Sequence, residues 1–296
     1  MTINYITRDD GIFDEALVQN MLTAPLEKQA RFINNSKSFT LTDIEVSGYQ
    51  DHTRDKGFNA GTYGNEKKVY TITQDRDIEF YVDTMDVDET NKDLSMARIT
   101  RKFIETQSGP EVDAYRFQKM AEFGVANDNT ATATLTTETV YSALKSAILP
   151  LRKYGAPNLL GYVSSEVMDM LERSGEFARN ITNQNVGITA LESRVTSLDG
   201  VQLIEVWDKD RFNTEHDFTE GFVPTGSFLN FVIASVPNVW AIAKHQAIFL
   251  FAPGEHTQGD GYLYQNRLYH DLIVPEKQVD AVYASISEEI VSGTGG

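Results

Sequence analysis

Cysteine is absent from the 296 residues. That absence removes disulfides, thiolate zinc sites, iron–sulfur ligation and cysteine nucleophiles together, and it fits folding in a reducing cytoplasm. Basic residues are scarce: 26 lysines and arginines against 43 acids give a formal net charge of −17, so broad attraction to nucleic-acid phosphates is not expected. Apolar runs of membrane length are missing too; the nearest, Phe228 to Ala243, is interrupted by Asn230, Pro237 and Asn238. Residues 1–30, with Asp9, Asp10, Asp14 and Glu15, lack the basic start and apolar stretch of a secretory signal. The histidines at 52, 216, 245, 256 and 270 include no pair at helical metal-ligand spacing, and no Gly-x-Ser-x-Gly elbow, phosphate loop or dinucleotide fingerprint occurs. Neither a metal nor a cofactor is expected, and no enzymatic activity.

Hydrophobic residues at 41% and charged ones at 23% are ordinary for a soluble globular protein, long enough for one large domain or two interleaved smaller ones. Residues 1–36 read as an arm with a short helix over Phe13–Leu22. A strand pattern follows over Lys37–Val46. Between Ser47 and Lys67 the pattern dissolves among four glycines, with Tyr49, Phe58, Tyr63, Arg54 and Lys56 between them. Strand periodicity resumes at Lys68–Thr73 and again at Ile78–Asp83. This describes a long hairpin with an irregular tip over 47–67, to be read as an untidy surface loop or as a functional one. Thr90 to Gly124 consists mostly of helix formers, with Gly109-Pro110 near the middle, where a kink or a break and restart is expected. Asn127–Thr137 is a polar connector. Beyond it helix and strand alternate: a helix on Val140, Leu144, Ala147 and Leu151, strands at Asn158–Val163 and Val201–Val206, a short helix at Glu166–Arg173 closed by Gly175, and strand-like segments at Phe228–Ser235, Val239–Ala243 and Ala247–Ala252. After Pro253-Gly254, Tyr262–Val274 and Val279–Ile286 return to strand periodicity.

Candidate chemistry is sparse. The acidic cluster Asp83, Asp86, Asp88 and Glu89 lacks the glycine and downstream glutamate of a calcium loop, whereas carboxylates just ahead of a helix favour its positive end, with Thr90 or Asn91 as cap. His270 and Asp271 are strand neighbours and point to opposite faces, which favours packing over catalysis. A glycosidase-like carboxylate pair stays open, since separations are not readable from sequence.

Three ordered stretches carry a resemblance. ITQDRDIEFYVDTMDVDET and the later GPEVDAYRFQKMAEF place Gln74, Asp75, Arg76, Phe80, Asp83, Asp86, Glu89, Pro110, Glu111, Asp113, Ala114, Tyr115 and Arg116 in a pattern that resembles the core signature of major capsid proteins from tailed phages of Gram-positive bacteria and related prophages. NNSKSFTLTDIEVSGYQDHTR resembles the family's Asn-rich lead into a strand. RLYHDLIVPEKQVDAVYASI, with Arg267, Tyr269, His270 and Asp271, resembles its closing strands.

The resemblance implies an α+β chain of the Hong Kong 97-like capsid fold. Its parts are an N-terminal arm (1–36), strands and an extended loop (37–89, tip 47–67), a spine helix of the peripheral domain (90–126), an inserted axial domain (127–253) and closing strands with a tail (254–296). It implies a structural subunit that self-assembles through hexamers and pentamers into an icosahedral or prolate virion shell around double-stranded DNA, built in the bacterial host cytoplasm without a membrane. Tyr49, Arg54, Lys56, Phe58 and Tyr63 become subunit contacts. Portal and decoration proteins are implied partners. Residues 1–36 are too few for a fused scaffolding segment, so a separate scaffold or none is expected. Lys56, Lys67 and Lys68 invite comparison with relatives that crosslink through a loop lysine, but no further residue supports that here. Two alternatives stand beside this reading: an encapsulin-type nanocompartment on the same fold, and a carbohydrate-active enzyme or sugar-binding module.

Overall fold

The computed structural model describes residues 21–28, 38–52, 54, 57–85, 96–174 and 195–290. Along the chain run β1 (Ser38–Val46), β2 (Tyr63–Thr71), β3 (Gln74–Val82), α1 (Met96–Phe103), a π-helical turn (Ile104–Ser108), α2 (Gly109–Ala126), β4 (Thr130–Thr132), α3 (Val140–Leu151), β5 (Leu159–Ser164), α4 (Ser165–Arg173), β6 (Val195–Leu198), β7 (Val201–Val206), β8 (His216–Asp217), β9 (Val223–Pro224), β10 (Ser227–Ser235), β11 (Trp240–Phe251), β12 (Tyr262–Ile273) and β13 (Val282–Ile290). The expected cluster residues Asp86, Asp88 and Glu89, the caps Thr90 and Asn91, Lys56, Gly175 and most of the arm lie outside the described residues.

Three sheets matter. β1 and β2 pair only with each other, β11-β12-β3 form an antiparallel sheet, and β4-β13-β10-β5-β7-β6 form a mixed one. The pairing departs from the expected division at residue 253. β11, placed with the middle segment, pairs along its length with β12 and so joins β3, while β13, placed with the closing strands, lies between β10 and β4. Periodicity marks a strand without naming its neighbour. The small buried residues Ala281, Ala284 and Ser285 let β13 sit close under α2, and the turn over 252–261 folds β11 back on β12. The two expected segments over 239–252 are one strand, irregular between Ala243 and His245.

Helix α2 is the element around which the rest packs. Phe117, Met120 and Ala121 enter a core shared with Leu22 and Leu26, with Val232 of β10, with Ala241 and Leu272 of the three-stranded sheet, and with Val282 and Ala284. A second core lies where α3 and α4 cover β5 and β7, through Leu144, Ile148, Met168, Leu171, Val163 and Leu203. Ser164 caps α4, its hydroxyl accepting from the Val167 N–H at 3.4 Å.

No break separates α1 from α2. Pro110 has no N–H and its ring would crowd the carbonyl four residues earlier. The preceding turn widens to accommodate it: the Gly109 N–H reaches back to the Ile104 carbonyl, and both Ser108 and Gly109 keep right-handed helical angles. The proline is absorbed by one π turn where a kink or restart was expected.

Candidate functional site

The hairpin of β1 and β2 has two different faces. Its register sets Thr40 opposite Val69, Thr42 opposite Lys67, Ile44 opposite Asn65 and Val46 opposite Tyr63 on one face, and Phe39 opposite Tyr70, Leu41 opposite Lys68, Asp43 opposite Glu66 on the other. The second face is tied to its own chain. Phe39 and Tyr70 stack at 5.8 Å in a cluster with Ile72, Ile242, Tyr269 and Ile273, Lys68 pairs with Glu276, and Lys277 pairs with Asp43 and Glu45. Those two acids hold the Lys277 ammonium above its ordinary range. The first face is left open: Ile44 is 67% exposed, Val46 75% and Tyr63 87%. At the tip, Tyr49, Arg54 and Phe58 are exposed as well, with the Ser47 N–H donating to Thr62 O at 2.9 Å where the strands part.

Strand β2 begins at Tyr63, five residues before the expected Lys68, so the irregular tip is 47–62 rather than 47–67. The reason is physical. Gly64, Asn65, Glu66 and Lys67 are exposed on both faces, and a strand with no buried face carries no alternation.

Beneath the hairpin, the residues of the second resemblance motif converge at the start of α2. Asp113 is fully buried; its carboxylate accepts from the Leu22 N–H (2.7 Å), the Thr23 N–H (3.0 Å), the Thr23 hydroxyl (2.6 Å) and Arg211 Nη1 (3.3 Å). Burial pushes its pKa up, and those donors oppose the rise. Arg116, also buried, donates to Thr23 Oγ1 (2.9 Å), Thr23 O (3.3 Å) and Glu27 Oε1 (3.0 Å). Glu27 in turn bridges to Ala241 of β11. One turn of α2 thus pins the N-terminal segment, the 208–211 turn and β11 together.

Glu111, on the same turn, accepts from Arg76 Nε at 2.6 Å, and Arg76 also donates to the carbonyls of Phe218 (2.6 Å) and Gly221 (3.4 Å). Burial raises the Glu111 carboxyl despite that partner. The Arg76 partner lies 35 residues on in the chain, at the head of α2. Asp75, on the opposite face of β3, makes a two-pronged pair with Arg267 at 2.9 and 2.6 Å. The Tyr115 hydroxyl donates to Asp271 Oδ1 at 2.9 Å, and Asp271 Oδ2 accepts from Thr73 N and Oγ1; burial raises the Tyr115 pKa.

His270 and Asp271 both reach Tyr115: the imidazole lies edge-on to its ring at 5.3 Å, while Asp271 accepts from its hydroxyl. His270 is 2% exposed, and burial first, then the charges of Arg116 and Arg76, lower its pKa to about 3. Gln74 sits opposite it in register. Phe80 meets Phe103 at 5.3 Å and Tyr264 at 6.1 Å, the Tyr269 hydroxyl donates to Ile72 O, Asp83 accepts from the Met85 N–H at 2.8 Å, and Pro110 is buried at the head of α2.

Sequence reasoning missed Thr23, Glu27, Thr73, Asp208 and Arg211. Only the Asp208-x-x-Arg211 spacing, which gives a 3.1 Å pair, carried a local signal. Among the described residues no group of three or more His, Cys, Asp or Glu is placed to hold a metal, and no helix is long and apolar enough to cross a membrane. Between β3, β12 and the π turn lies a cleft of about 700 Å³ lined by Arg76, Ile78, Gln107, Glu111 and Leu268.

No family model matches the sequence, and no curated protein does. Solved structures do match in fold. The mature capsid of bacteriophage PhiM1 superposes with a TM-score of 0.66 at 12% identity over 95% of this chain and 91% of that one. The capsid structure of the cyanophage P-SCSP1u gives 0.68 at 12% over 96% and 93%, and a structure from Mycobacterium phage Che8 gives 0.59 at 14% over 97% and 98%. The chain therefore has the fold of these phage proteins, from end to end.

Proposed function

We propose that this chain is the major capsid subunit of a tailed phage, a non-enzymatic protein that closes into a virion shell through hexamers and pentamers and encloses double-stranded DNA. The observation that carries the reading is the hairpin. A two-stranded ribbon is marginal in water by itself, yet this one is anchored by one face and leaves Ile44, Val46 and Tyr63 uncovered on the other, which is the condition of a surface awaiting a neighbour. End-to-end likeness to capsid subunits of similar length supports the same conclusion. Head-to-tail patches of this kind close rings when the rotation allows.

In this reading the segment 1–36 is the arm, the hairpin the extended loop, α1 and α2 the spine, the six-stranded sheet with α3 and α4 the axial part, and the sheet of β3, β11 and β12 the peripheral part. Tyr49, Arg54, Lys56, Phe58 and Tyr63 contact neighbours, while the motif residues from Gln74 to Arg116 and Arg267 to Asp271 set the angle at which the parts meet. Assembly takes place in the host cytoplasm, and a portal completes the head. Size-exclusion chromatography with negative-stain imaging of the purified chain tests it: closed particles of very high mass are expected, and a stable monomer or small oligomer under all assembly conditions would overturn it.

A further inference from the structure

The long strand edges of this chain are guarded by charge. β1 carries Asp43 and Glu45, β2 carries Glu66, Lys67 and Lys68, and β3 carries Asp75, Arg76, Asp77 and Glu79. β11, the other edge of the three-stranded sheet, is guarded only at its ends. Near its start the Lys28 N–H donates to Ala241 O at 2.9 Å, and the irregularity between Ala243 and His245 brings in Lys244, whose ammonium lies 5.4 Å from the centre of the Tyr269 ring. Past its end the Ala252 N–H donates to Glu255 Oε2 at 2.9 Å. Residues 246–251, between these guards, include no charge, proline or glycine, and among the described residues no strand or loop pairs with their outer side. Ile248, Phe249 and Leu250 are between 49% and 62% exposed. Phe249 stacks on Phe251 at 6.1 Å on one face of the sheet, and Ile248 and Leu250 stand on the other. An open edge with apolar side chains on both faces is a template for a further strand.

We propose that the 246–251 edge of β11 pairs antiparallel with the same edge of a second copy across a two-fold axis at Phe249, joining two three-stranded sheets into one. Charge selects this occupant. Either strand of a neighbour's hairpin would lay Asp43 and Glu45, or Glu66, beside Ile248 and Leu250, whereas the edge set against itself brings no charge to the contact. The register follows from the exposed residues: with Phe249 opposite its own counterpart, Ile248 meets the partner's Leu250 on one face and Ala247 meets the partner's Phe251 on the other, so every exposed apolar side chain gains an apolar neighbour. The same patch serves both copies, so the contact is self-complementary. It also ends at two copies, because the far edge of each sheet is the charged β3. So short an edge falls below the roughly 1,200 Å² that a stable complex buries, so the pairing is weak between free subunits and gains by repetition in an assembly. The pairing itself does not depend on the capsid reading; a shell would use it to join one ring to the next.

The chain has no cysteine, so single introduced thiols in the full-length protein test the pairing, in concentrated free subunits and in assembled shells. Under mild oxidation Phe249→Cys is expected to give disulfide-linked dimers at least about 10-fold faster than Ile248→Cys, because directly facing Cα atoms lie within disulfide reach and atoms offset by two residues do not. Ile248→Cys mixed with Leu250→Cys should crosslink as fast as Phe249→Cys alone. Adding Ile248→Lys and Leu250→Lys to Phe249→Cys should abolish the crosslink without moving the melting temperature, since both positions are exposed. Equal rates for the two single variants, or a crosslink that survives the two lysines, overturn the proposal. A thiol at 249 that stays inaccessible to a small alkylating reagent in dilute free subunits overturns it in favour of coverage by the chain itself. Faster crosslinking of Phe249→Cys to Ile44→Cys than to itself overturns it in favour of a neighbour's hairpin. Negative-stain images separate the two levels: closed shells with no crosslink at 249 defeat this inference alone, whereas crosslinked dimers that never form closed particles support it and defeat the capsid reading.

Discussion

At the scale of single residues, Asp113 and His270 make opposite use of burial. Asp113 is a charge taken out of water and matched by four donors, one of them from the buried Arg211. Replacing it by Ala removes the acceptor of Arg211 Nη1 and of two backbone donors, and a loss of about 3–5 kcal/mol is expected, read as a lowered urea midpoint. A change below 1 kcal/mol would mean the cluster is solvated in solution. His270 is held neutral, its pKa lowered from 6.5 to about 3. The unfolded chain therefore binds more protons than the folded one between those values, and stability falls as pH drops through that window, by at most about 1.4 kcal/mol per pH unit from this group. Glu111 and Asp113, raised by burial, pull the other way above their ordinary values. Comparing urea midpoints of wild type and His270→Gln between pH 7 and pH 4 isolates the histidine: the variant should lose less stability on acidification, and parallel curves would refute its buried neutral state.

At the scale of elements, the π turn is a register device. It inserts one residue ahead of Pro110, so that Ile99 and Phe103 face Phe80 while Phe117 and Met120 face the large core. Deleting Thr106 should restore a regular helix and rotate α1 by about 100° relative to α2, pulling Phe103 off Phe80 and Tyr264. Rapid proteolysis within α1 is expected, with the second core around α3 still protected; unchanged protection of α1 would show that the turn is dispensable. The hairpin makes the complementary prediction. Ile44→Asp with Val46→Asp alters only exposed positions, so subunit stability should stay within about 0.5 kcal/mol, whereas the yield of closed particles should collapse. The same charges placed on the anchored face are not an equivalent control, because Lys277 already pairs there with Asp43 and Glu45.

At the scale of the whole molecule, the pair Arg76–Glu111 joins the three-stranded sheet to the head of α2, and Arg76 also holds the 218–221 segment. A small angular error at that joint is repeated at every subunit of a shell. Glu111→Gln keeps the shape and removes the charge, so the isolated subunit should lose no more than about 1–2 kcal/mol while particles become heterogeneous in size. Uniform particles from this variant would show that the joint does not set curvature.

What the sequence determined by itself was the kind and order of most elements and, through the lack of cysteine, the exclusion of thiol chemistry. Alternation in Phe39–Leu41, the helical stripe of Val140 to Leu151 and the motif around Pro110–Arg116 are local signals, and each lies where the structure uses it. Local signals end where partners are distant. That β11 would join β3 through β12 and β13 would join β10 depends on pairing between distant segments, and that Asp113 would bind Thr23 and Arg211 and Arg76 would choose Glu111 depends on contacts between residues 35 to 98 positions apart. A strand's pattern records which face is buried, not which strand lies beside it, and a buried charge records only that a partner exists. Those choices were made by the packing of α2, around which the two larger sheets and the N-terminal segment are fastened.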